Sequence, residues 1–501
     1  MKIAGLDIGT TGCKLTIFDH KGAYLKHAYR DYPVKRSSSG HEVNAEAIME
    51  SVLYVMKTMG KKYPDIAGIG VTSFGETLVL ADETGTPLHP AMLYTDPRGA
   101  EECRELEGKL GSRKIASITG LRPHEMYSIS KIMWMKRNRP EIYQRAKHIF
   151  LMEDYVVFQL TGTAQIDYSL AARTMAFDIT ALGWSEEIFR EAGIDVGLMS
   201  KAVPTGTSAG MLCRKIAEQT GIKESVQIVS ISHDQVAAAV GAGVFDSDTA
   251  VDGAGTVECV TPVFDSLPDP QVMYDGYYAV VPYVIPGKYV CYAFSYTGGA
   301  LIQWCVDNLA KKEKELAKEQ GISVNAYLEK QFYRQDAESE EPTGILVLPH
   351  FAGAATPYMD TASKGAIIGL NMGSSVNDIY RACMEGVAYE MLLNIECLEG
   401  SGIRYKMLHA TGGGAKSEFW MQMKADMLNV PIAALQTADA GTVGSAMLTG
   451  IAVGCFQDLQ DAAVHMVEKK QVYYPRQEMH EKYQRIYKKY RQIYKAVRPL
   501  V

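Results

Sequence analysis

The chain has 501 residues, of which 47% are hydrophobic and 22% charged, a composition typical of globular proteins. This length predicts more than one domain. A formal net charge of −7 and the lack of a long basic run disfavour nucleic-acid binding. A small molecule or a protein is the expected partner.

The cysteines and the first residues indicate where the protein works. Nine cysteines lie far apart, with no CxxC pair and no His/Cys cluster at metal-ligand spacing, so reduced thiols are expected. The opening MKIAGLDIG reaches an acid and a glycine too soon for a secretory signal. No apolar run is long enough to cross a bilayer, and a cytoplasmic protein without a membrane segment is therefore expected.

The predicted elements begin with a hairpin in GLDIGTTGCKLTIFD. Residues 3–8 and 14–18 read as strands around a Gly-Thr-Thr-Gly turn, and a third strand is predicted near 24–29. A helix is predicted at 44–59, with Asn44 as its N-cap and Gly60 as its stop. Helical and extended patterns then alternate, which predicts an α/β fold.

A second segment, DTAVDGAGTVECVTPVF at 248–264, has the same order of features as the opening hairpin. Each has a strand, an acid, glycines, a threonine and another strand. The matching residues are Asp7, Gly9 and Thr10 in the first and Asp252, Gly255 and Thr256 in the second. The repeat predicts two similar α/β domains that face one cleft, with a boundary near residues 245–247.

Both turns have the chemistry of a phosphate site. Glycine lets backbone N–H groups approach a ligand, threonine hydroxyls add donors, and a nearby acid can hold Mg²⁺ through water. A plain hairpin with glycine in its turn is the open alternative. Other nucleotide motifs fail: ATGGGAKS at 410–417 has alanine at both glycine positions of a Walker loop, and no GxGxxG follows the first strand.

A candidate general base follows a strand predicted at 226–231. This strand runs into Ser-His-Asp-Gln and then into a helix of small residues, which places Asp234 at the rim of a sheet. A carboxylate there can take a proton from a substrate hydroxyl during phosphoryl transfer. Aspartate is also a favoured N-cap, so a capping role is the alternative.

With these pieces in place, the sequence resembles the FGGY family of carbohydrate kinases nearly end to end. MYSISKIMWMKRN at 126–138 fits one family signature, and GAIIGLNMGSSVNDIYRACMEG at 365–386 nearly fits the other, with Cys383 as the departure. LYTDPRG, HDQ, SYTGGALIQW and ATGGGAKSEFWMQMKADMLNVPI are similar to further family landmarks. Through it the chain also resembles the wider superfamily of sugar kinases, actin and heat-shock chaperone ATPases.

The resemblance implies an α/β fold of two ribonuclease-H-like, actin-like ATPase domains flanking a central cleft. Residues 1–246 would form the sugar-binding domain and residues 247–501 the ATP-binding domain. It further implies ATP-dependent phosphorylation of a hydroxyl, with MgATP held between the two phosphate loops. Family members also form dimers, so a homodimer is an assembly to test for.

The resemblance assigns roles to particular residues. Asp234 would be the catalytic base, and Asp7 and Asp234 would bind Mg²⁺. The implied substrate-binding residues are Glu76, Thr77, Asp96, Arg98, Asp234 and Gln235. The implied ATP-binding residues are Gly9, Thr10, Thr11, Lys14, Gly255, Thr256, Gly298, Gly299, Gly413, Gly414 and Ser417.

Departures from relatives bear on the acceptor. Gly75-Glu76-Thr77 stands where xylulokinases carry Gln-Met-His-Gly and glycerol kinases Arg-Glu-Thr, and Met126 replaces an aromatic of the latter. A larger pocket is expected, which favours a neutral ketose or polyol, with a ketopentose such as xylulose first and glycerol, erythritol or a related compound as the alternative. The carboxylates of Glu76 and Asp96 argue against an anionic acceptor such as gluconate.

Two further features complete the sequence-based expectations. Ala354-Ala355 replaces a charged pair that is usual in the family. The rival from another class is an actin-like ATP-binding scaffold or regulator without sugar kinase activity, which HDQ and Asp96-x-Arg98 argue against. Near the chain end, Tyr483, Tyr487, Tyr490 and Tyr494 share one helical face and are expected to pack on the domain.

Overall fold

The computed structural model describes residues 1–37, 40–332, 341–437 and 439–501. Its helices are α1 (Ala45–Gly60), α2 (Ala100–Leu110), α3 (Ser112–Thr119), α4 (Ser128–Asn138), α5 (Pro140–Arg145), α6 (Met152–Thr161), α7 (Tyr168–Ala172), α8 (Glu186–Ala192), α9 (Arg214–Thr220), α10 (Asp234–Gly241), α11 (Pro270–Asp275), α12 (Gly299–Asn308), α13 (Lys311–Glu319), α14 (Val324–Phe332), α15 (Val376–Gly400), α16 (Glu418–Leu428), α17 (Ala440–Ala452), α18 (Leu459–Met466), α19 (Gln477–Tyr490) and α20 (Ile493–Val497).

Its strands are β1 (Lys2–Ile8), β2 (Gly12–Asp19), β3 (Tyr24–Asp31), β4 (Val34–Ser37), β5 (Gly40–Val43), β6 (Ile66–Ser73), β7 (Val79–Ala81), β8 (Ala91–Met92), β9 (His148–Phe150), β10 (Gln165–Asp167), β11 (Phe177–Asp178), β12 (Gly183–Trp184), β13 (Lys201–Val203), β14 (Thr207–Met211), β15 (Gln227–His233), β16 (Thr249–Ala254), β17 (Glu258–Phe264), β18 (Ala279–Pro282), β19 (Tyr289–Ser295), β20 (Leu346–Leu348), β21 (Ala366–Ile368), β22 (Met407–Thr411), β23 (Ile432–Leu435) and β24 (Lys469–Tyr473).

The chain forms two compact units that interleave along the sequence. The first unit comprises Met1–Phe245, Ala279–Val290 and Asp439–Glu468, and the second comprises Asp246–Tyr278, Cys291–Ala438 and Lys469–Val501. The first change of unit lies at the sequence-based boundary near residues 245–247, and two later segments return to the first unit. The assignment of sugar to residues 1–246 and ATP to 247–501 stays a prediction.

The first unit is built on a sheet with the strand order β14–β15–β6–β1–β2–β3. β1 pairs antiparallel with β2 and parallel with β6, and β15 is parallel to β6. Residues of β1, β2, β6 and α1 supply much of its apolar core. The predicted opening hairpin is therefore confirmed, and in its register Asp7 lies opposite Lys14.

The sheet of the second unit repeats this arrangement. The strands of this sheet that lie mainly in the second unit follow the order β19–β17–β16–β22–β23–β24. β16 pairs antiparallel with β17 and parallel with β22, and β22 is parallel to β23. In both units the hairpin strand that carries the acid lies at the centre, next to a parallel strand. The similarity of the two halves, predicted from two short segments, is confirmed by this topology.

Local signals at helix ends and faces were reliable. Asn44 caps α1 by accepting a hydrogen bond from the Glu46 backbone N–H at 2.8 Å. In the second unit, Tyr487 and Tyr490 of α19 are buried and donate hydrogen bonds to Glu396 and Glu390, as expected of a helix packed on its domain. The prediction was wrong for Tyr494, which lies on the separate helix α20 because α19 ends at Tyr490. None of the helices in the described ranges combines the length and apolarity that a membrane span requires.

The helix α17 packs very closely on the rest of the first unit. A Cβ at Gly444 would overlap the Ala237 carbonyl oxygen of α10, and one at Gly241 would overlap the Ala440 carbonyl oxygen. The Ser445 hydroxyl donates a hydrogen bond to the Gly70 carbonyl of β6 at 2.9 Å. Glycines therefore let α10 and α17 touch backbone to backbone.

This contact predicts a strong effect of one methyl group. Gly444→Ala should destabilise the protein by about 1–3 kcal/mol, because the new Cβ must push α10 away from α17. Thermal unfolding of the variant measures the loss. Gly108→Ala in α2 is the matched control, since nothing lies within 4 Å of its Cβ and alanine is the better helix former. A Gly444→Ala protein as stable as this control would contradict the prediction.

Candidate active site

The first predicted phosphate loop is the turn between β1 and β2. The Gly9 N–H donates a hydrogen bond to the Gly12 carbonyl at 2.9 Å, which closes the turn. Thr11 at its tip is exposed, whereas Gly9 and Thr10 are half-buried. The turn therefore presents backbone and hydroxyl donors at the surface of the unit.

Lys14 of this hairpin forms an ion pair that the sequence did not reveal. Its Nζ lies 2.9 Å from Oδ2 of Asp439, the residue that precedes α17, and about a third of each side chain is exposed. The partners are 425 residues apart in sequence. The packing of α17 on β1 thus brings an acid to the lysine of the loop.

Asp7 lies in an acidic environment. The pKa of its carboxyl is raised to about 8, chiefly by burial and also by the charges of Asp234 and Asp439, whereas Lys14 opposes the shift. Among the described residues, no donor pairs with its buried Oδ1. This atom and the nearby carboxylate of Asp234 are hard oxygen donors that fit Mg²⁺, which binds proteins through one or two carboxylates and completes its shell with water and phosphate.

Asp234 is the first residue of α10, at the end of β15, as predicted. His233 occupies the N-cap position, so the alternative that Asp234 serves as the helix cap is not the geometry observed. The pKa of the Asp234 carboxyl is raised to about 7, chiefly by burial and also by the charge of Glu76, while the Gln235 backbone N–H and Arg173 oppose the shift. The predicted base, Asp234, and the predicted substrate-binding residue Glu76 are thus close enough for their charges to interact.

Glu76 is held in an uncommon conformation. Its φ of 59° lies in the left-handed region, which non-glycine residues rarely adopt, and only 3% of it is exposed. Its carboxylate accepts a hydrogen bond from Nε of Arg173 at 2.6 Å. Thr77, the next residue, is fully buried. The Gly75-Glu76-Thr77 segment is therefore fixed by the fold, with its acid paired to an arginine.

Asp96 and Arg98 form a second acid–arginine pair in the same unit. Asp96 accepts hydrogen bonds from the Arg98 backbone N–H at 2.9 Å, from its Nε at 2.8 Å and from the His41 backbone N–H at 2.7 Å. The Arg98 guanidinium stacks over the Trp134 ring at 5.0 Å. The Asp96 carboxylate therefore accepts hydrogen bonds on both oxygens, and the Arg98 guanidinium is held by Asp96 and by the Trp134 ring.

The predicted ATP-binding residues of the second unit surround one turn. The backbone N–H groups of Gly298 and Gly299 donate to the carbonyls of Thr256 and Gly255 at 2.9 and 2.8 Å. These bonds join the β16–β17 turn to the start of α12. Thr256 is exposed and Gly298 is buried. The two segments that the resemblance assigned separately to ATP are therefore adjacent in this unit.

The third predicted ATP-binding segment lies against the same hairpin. Cβ atoms at Gly412 or Gly414 would crowd the Ala254 carbonyl or side chain, so this loop follows the β16 end closely. Ser417 caps α16 by accepting a hydrogen bond from the Trp420 backbone N–H at 3.1 Å. Gly413 is exposed and Gly414 half-buried. The glycines thus bring the loop within reach of the turn.

A buried charge cluster lies beneath this site and was missed in the sequence. Lys424 of α16 is 1% exposed, and its Nζ lies 2.9 Å from Asp252 Oδ2 and bonds Glu258 Oε1 as well. Burial raises the pKa of Glu258, and Asp252 raises it further, whereas Lys424 opposes the shift. Asp252 and Glu258 flank the turn, so Lys424 connects the turn to α16.

Nothing in the local pattern could identify these partners. Arg173, Asp439 and Lys424 stand in ordinary helical or loop contexts, and their oppositely charged partners lie 97, 425 and 166–172 residues away. Within the described ranges, no group of three or more His, Cys, Asp or Glu side chains could hold a metal ion alone. The nine cysteines are free thiols, as predicted.

Comparison with known proteins identifies the two halves of the chain. Residues 2–241 match the model of the N-terminal domain of the FGGY family of carbohydrate kinases, and residues 254–453 match its C-terminal domain. The chain is 25% identical to a xylulose kinase of Bacillus subtilis over 96% of this chain and 94% of the relative. It is 29% identical to a gluconokinase of Bacillus subtilis (96% and 93%) and 30% identical to a glycerol kinase of Halorhodospira halophila (96% and 93%).

A solved structure supports the fold. The ligand-bound xylulose kinase from Lactobacillus acidophilus superposes with a TM-score of 0.88 at 22% identity, over 99% of this chain and 98% of the other. Together with the two family domains, this likeness confirms the predicted two-domain, actin-like α/β fold.

The buried cluster around Lys424 yields a stability prediction. Lys424→Met should cost about 3–5 kcal/mol, because it leaves the carboxylates of Asp252 and Glu258 buried without their cation. The triple variant Lys424→Met/Asp252→Asn/Glu258→Gln should recover much of this loss, since it removes the unpaired charge. Thermal unfolding measures both.

The matched control is Lys406→Met, which breaks an exposed pair with Asp248 and should leave the unfolding midpoint almost unchanged. Equal losses from the Lys424 and Lys406 variants would contradict the cluster's contribution to stability.

Proposed function

This chain belongs to the FGGY family of carbohydrate kinases, and from that premise we propose that it transfers the γ-phosphoryl group of ATP to a hydroxyl of a ketopentose such as xylulose. The observation that carries the proposal is the placement of Asp234 in the first unit, near enough to Asp7 and Glu76 for their charges to interact. A base, a phosphate-loop acid and an acceptor residue are the parts that this reaction needs.

Asp234 acts as the general base. It accepts the proton of the acceptor hydroxyl as that oxygen attacks the γ-phosphorus, and the bond from this phosphorus to the β–γ bridging oxygen breaks. Its place at the end of β15 is where α/β folds expose a reactive side chain. Gln235 follows it in the first turn of α10 and is proposed to contact the acceptor.

Each unit is proposed to supply donors to the phosphate groups. In the first unit, Gly9, Thr10 and Thr11 supply N–H and hydroxyl donors, and Lys14, oriented by Asp439, supplies positive charge. In the second unit, Gly255, Thr256, Gly298 and Gly299 are proposed to contact the phosphates or ribose. Gly413, Gly414 and Ser417 are proposed to lie near the nucleoside.

Mg²⁺ would be held by Asp7 and Asp234 and would neutralise charge on the phosphate oxygens. The unpaired buried Oδ1 of Asp7 fits this role among the described residues. The charges of two further carboxylates, Asp234 and Asp439, and of one lysine, Lys14, act on Asp7. A divalent cation would relieve the repulsion among the carboxylates, which supports its inclusion.

The acceptor is recognised by Glu76, Thr77, Asp96 and Arg98. In the sequence, the carboxylates of Glu76 and Asp96 argued against an anionic acceptor. In the structure, each of these two carboxylates is paired with an arginine. The paired charges largely cancel, so these carboxylates give no argument from charge against gluconate. Glycerol and related polyols form the second candidate class, because a glycerol kinase shares 30% of its residues with this chain.

The first measurement is ADP release with MgATP across xylulose, ribulose, erythrulose, erythritol, glycerol and gluconate. Asp234→Asn is the blank and should lower turnover by about 10²-fold or more while both substrates still bind. One strong acceptor whose signal vanishes in the variant supports the proposal. If no acceptor stimulates ADP release while ATP still binds, a scaffold or regulator is favoured. An unchanged rate in Asp234→Asn would remove this residue from the mechanism.

A second prediction places Glu76 at the acceptor. Glu76→Ala should raise the KM for the acceptor by about tenfold or more, because a hydrogen bond to a charged group is lost, and should leave the KM for ATP nearly unchanged. Steady-state kinetics with each substrate varied in turn separate the two constants. Glu101→Ala, a change at a largely exposed acid of α2, is the control. An effect confined to ATP would show that Glu76 lies in a different pocket.

A further inference from the structure

Arg173 is a buried cation for which the proposed mechanism has no role so far. It directly follows α7, and only 6% of it is exposed. Its Nε donates to Oε1 of Glu76 at 2.6 Å, and its Nη2 contacts the same oxygen. The guanidinium also lies over the Tyr127 ring, 5.2 Å from its centre. Two independent contacts therefore fix the plane of this side chain.

The segment that Arg173 meets is itself constrained. Glu76 adopts a left-handed backbone conformation, the Thr77 N–H donates to the Gly75 carbonyl at 2.7 Å, and the Ser128 hydroxyl donates to the Glu76 carbonyl at 2.8 Å. Such a conformation persists in a non-glycine residue only where its surroundings enforce it. The backbone of Glu76 is thus fixed by hydrogen bonds, and its carboxylate by Arg173.

Arg173 is also held next to the catalytic segment. The Ser169 hydroxyl of α7 accepts a hydrogen bond from the His233 backbone N–H at 2.9 Å, and Asp167 caps α7. A Cβ at Gly75 would lie 3.2 Å from Arg173 Cγ and 3.0 Å from the His233 ring. The aliphatic part of Arg173 and the ring of His233 therefore both lie close to the Gly75–Glu76 backbone. His233 immediately precedes Asp234 in the chain.

We propose that Arg173 is a positioning residue for acceptor recognition, which holds the Glu76 carboxylate in the single orientation that receives an acceptor hydroxyl. The inference rests on the proposed function, since it takes Glu76 as an acceptor-binding residue. One carboxylate oxygen is committed to the guanidinium, which leaves the other to define the direction of the acceptor hydrogen bond. Specificity for one hydroxyl geometry follows, because an acid fixed by a planar cation cannot rotate to suit a different acceptor.

The test measures the two Michaelis constants in Arg173 variants. Arg173→Met should raise the KM for the acceptor by about 10- to 100-fold and change the KM for ATP by less than about threefold. Arg173→Lys should lie between wild type and Arg173→Met, since it keeps the charge and loses the fork. Arg137→Met, at an exposed arginine paired with Glu102 and Glu105, is the control and should alter neither constant.

Two further readouts separate positioning from mere stabilisation. In a Glu76→Gln background, adding Arg173→Met should change the acceptor KM by less than about threefold, because the ion pair is already lost. Guanidinium ion added to Arg173→Ala should restore acceptor affinity. A purely structural role predicts instead a lower unfolding midpoint, both constants shifted together and no rescue, and that result overturns the proposal.

The outcomes also separate this inference from its premise. If the wild-type protein phosphorylates an acceptor but Glu76→Gln leaves the acceptor KM unchanged, the acceptor role of Glu76 fails, and the inference falls with it. If Glu76→Gln raises the acceptor KM and Arg173→Met does not, only the role of Arg173 is overturned. A wild-type protein without any acceptor removes the proposed function itself.

Discussion

The first unit depends on the close packing of α17 against β1, β6 and α10. Gly241 and Gly444 let the two helices touch through their backbones, and Ser445 bonds the β6 carbonyl of Gly70. This packing explains why a segment that begins at Asp439 belongs to a unit formed mainly by the first 245 residues. Contact at backbone distance is specific, because any side chain at these glycines would separate the elements.

The position of α17 also determines the electrostatics of the first phosphate loop. Asp439, just before the helix, pairs with Lys14, and a Cβ at Gly441 would lie 3.3 Å from Oδ2 of Asp7. The carboxylates of Asp7 and Asp439 are therefore close to one lysine, and the pKa of Asp7 is raised. This charge balance supports the proposed divalent cation, since the negative charges of Asp234 and Asp439 that act on Asp7 outnumber the one positive charge of Lys14.

Local patterns in the sequence predicted the elements well, and long-range pairing explains what they missed. The two hairpins, the capped helix after Asn44 and the placement of Asp234 at a strand end depend on neighbouring residues, so turn chemistry and periodicity reveal them. Arg173, which follows α7, contacts Glu76, which follows β6, across 97 residues of sequence. Lys424 likewise meets Asp252 only across α16 and the hairpin. Such pairs leave no periodic signal.

These pairs explain why acceptor identity does not follow from counting charges. Glu76 and Asp96, the two acids proposed to bind the acceptor, are each paired with a largely buried arginine, so the net charge around them is smaller than the number of acids suggests. The information left in these carboxylates is the direction of their hydrogen bonds, because a carboxylate fixed by a guanidinium presents its second oxygen in one direction. Selection among hydroxylated acceptors of similar size then depends on where their hydroxyl groups point, since each presents similar donors and acceptors. Under the roles proposed for Glu76 and Asp96, their pairs with arginine carry more information about the acceptor than the fold does, because the relatives with similar sequences include kinases of different substrates.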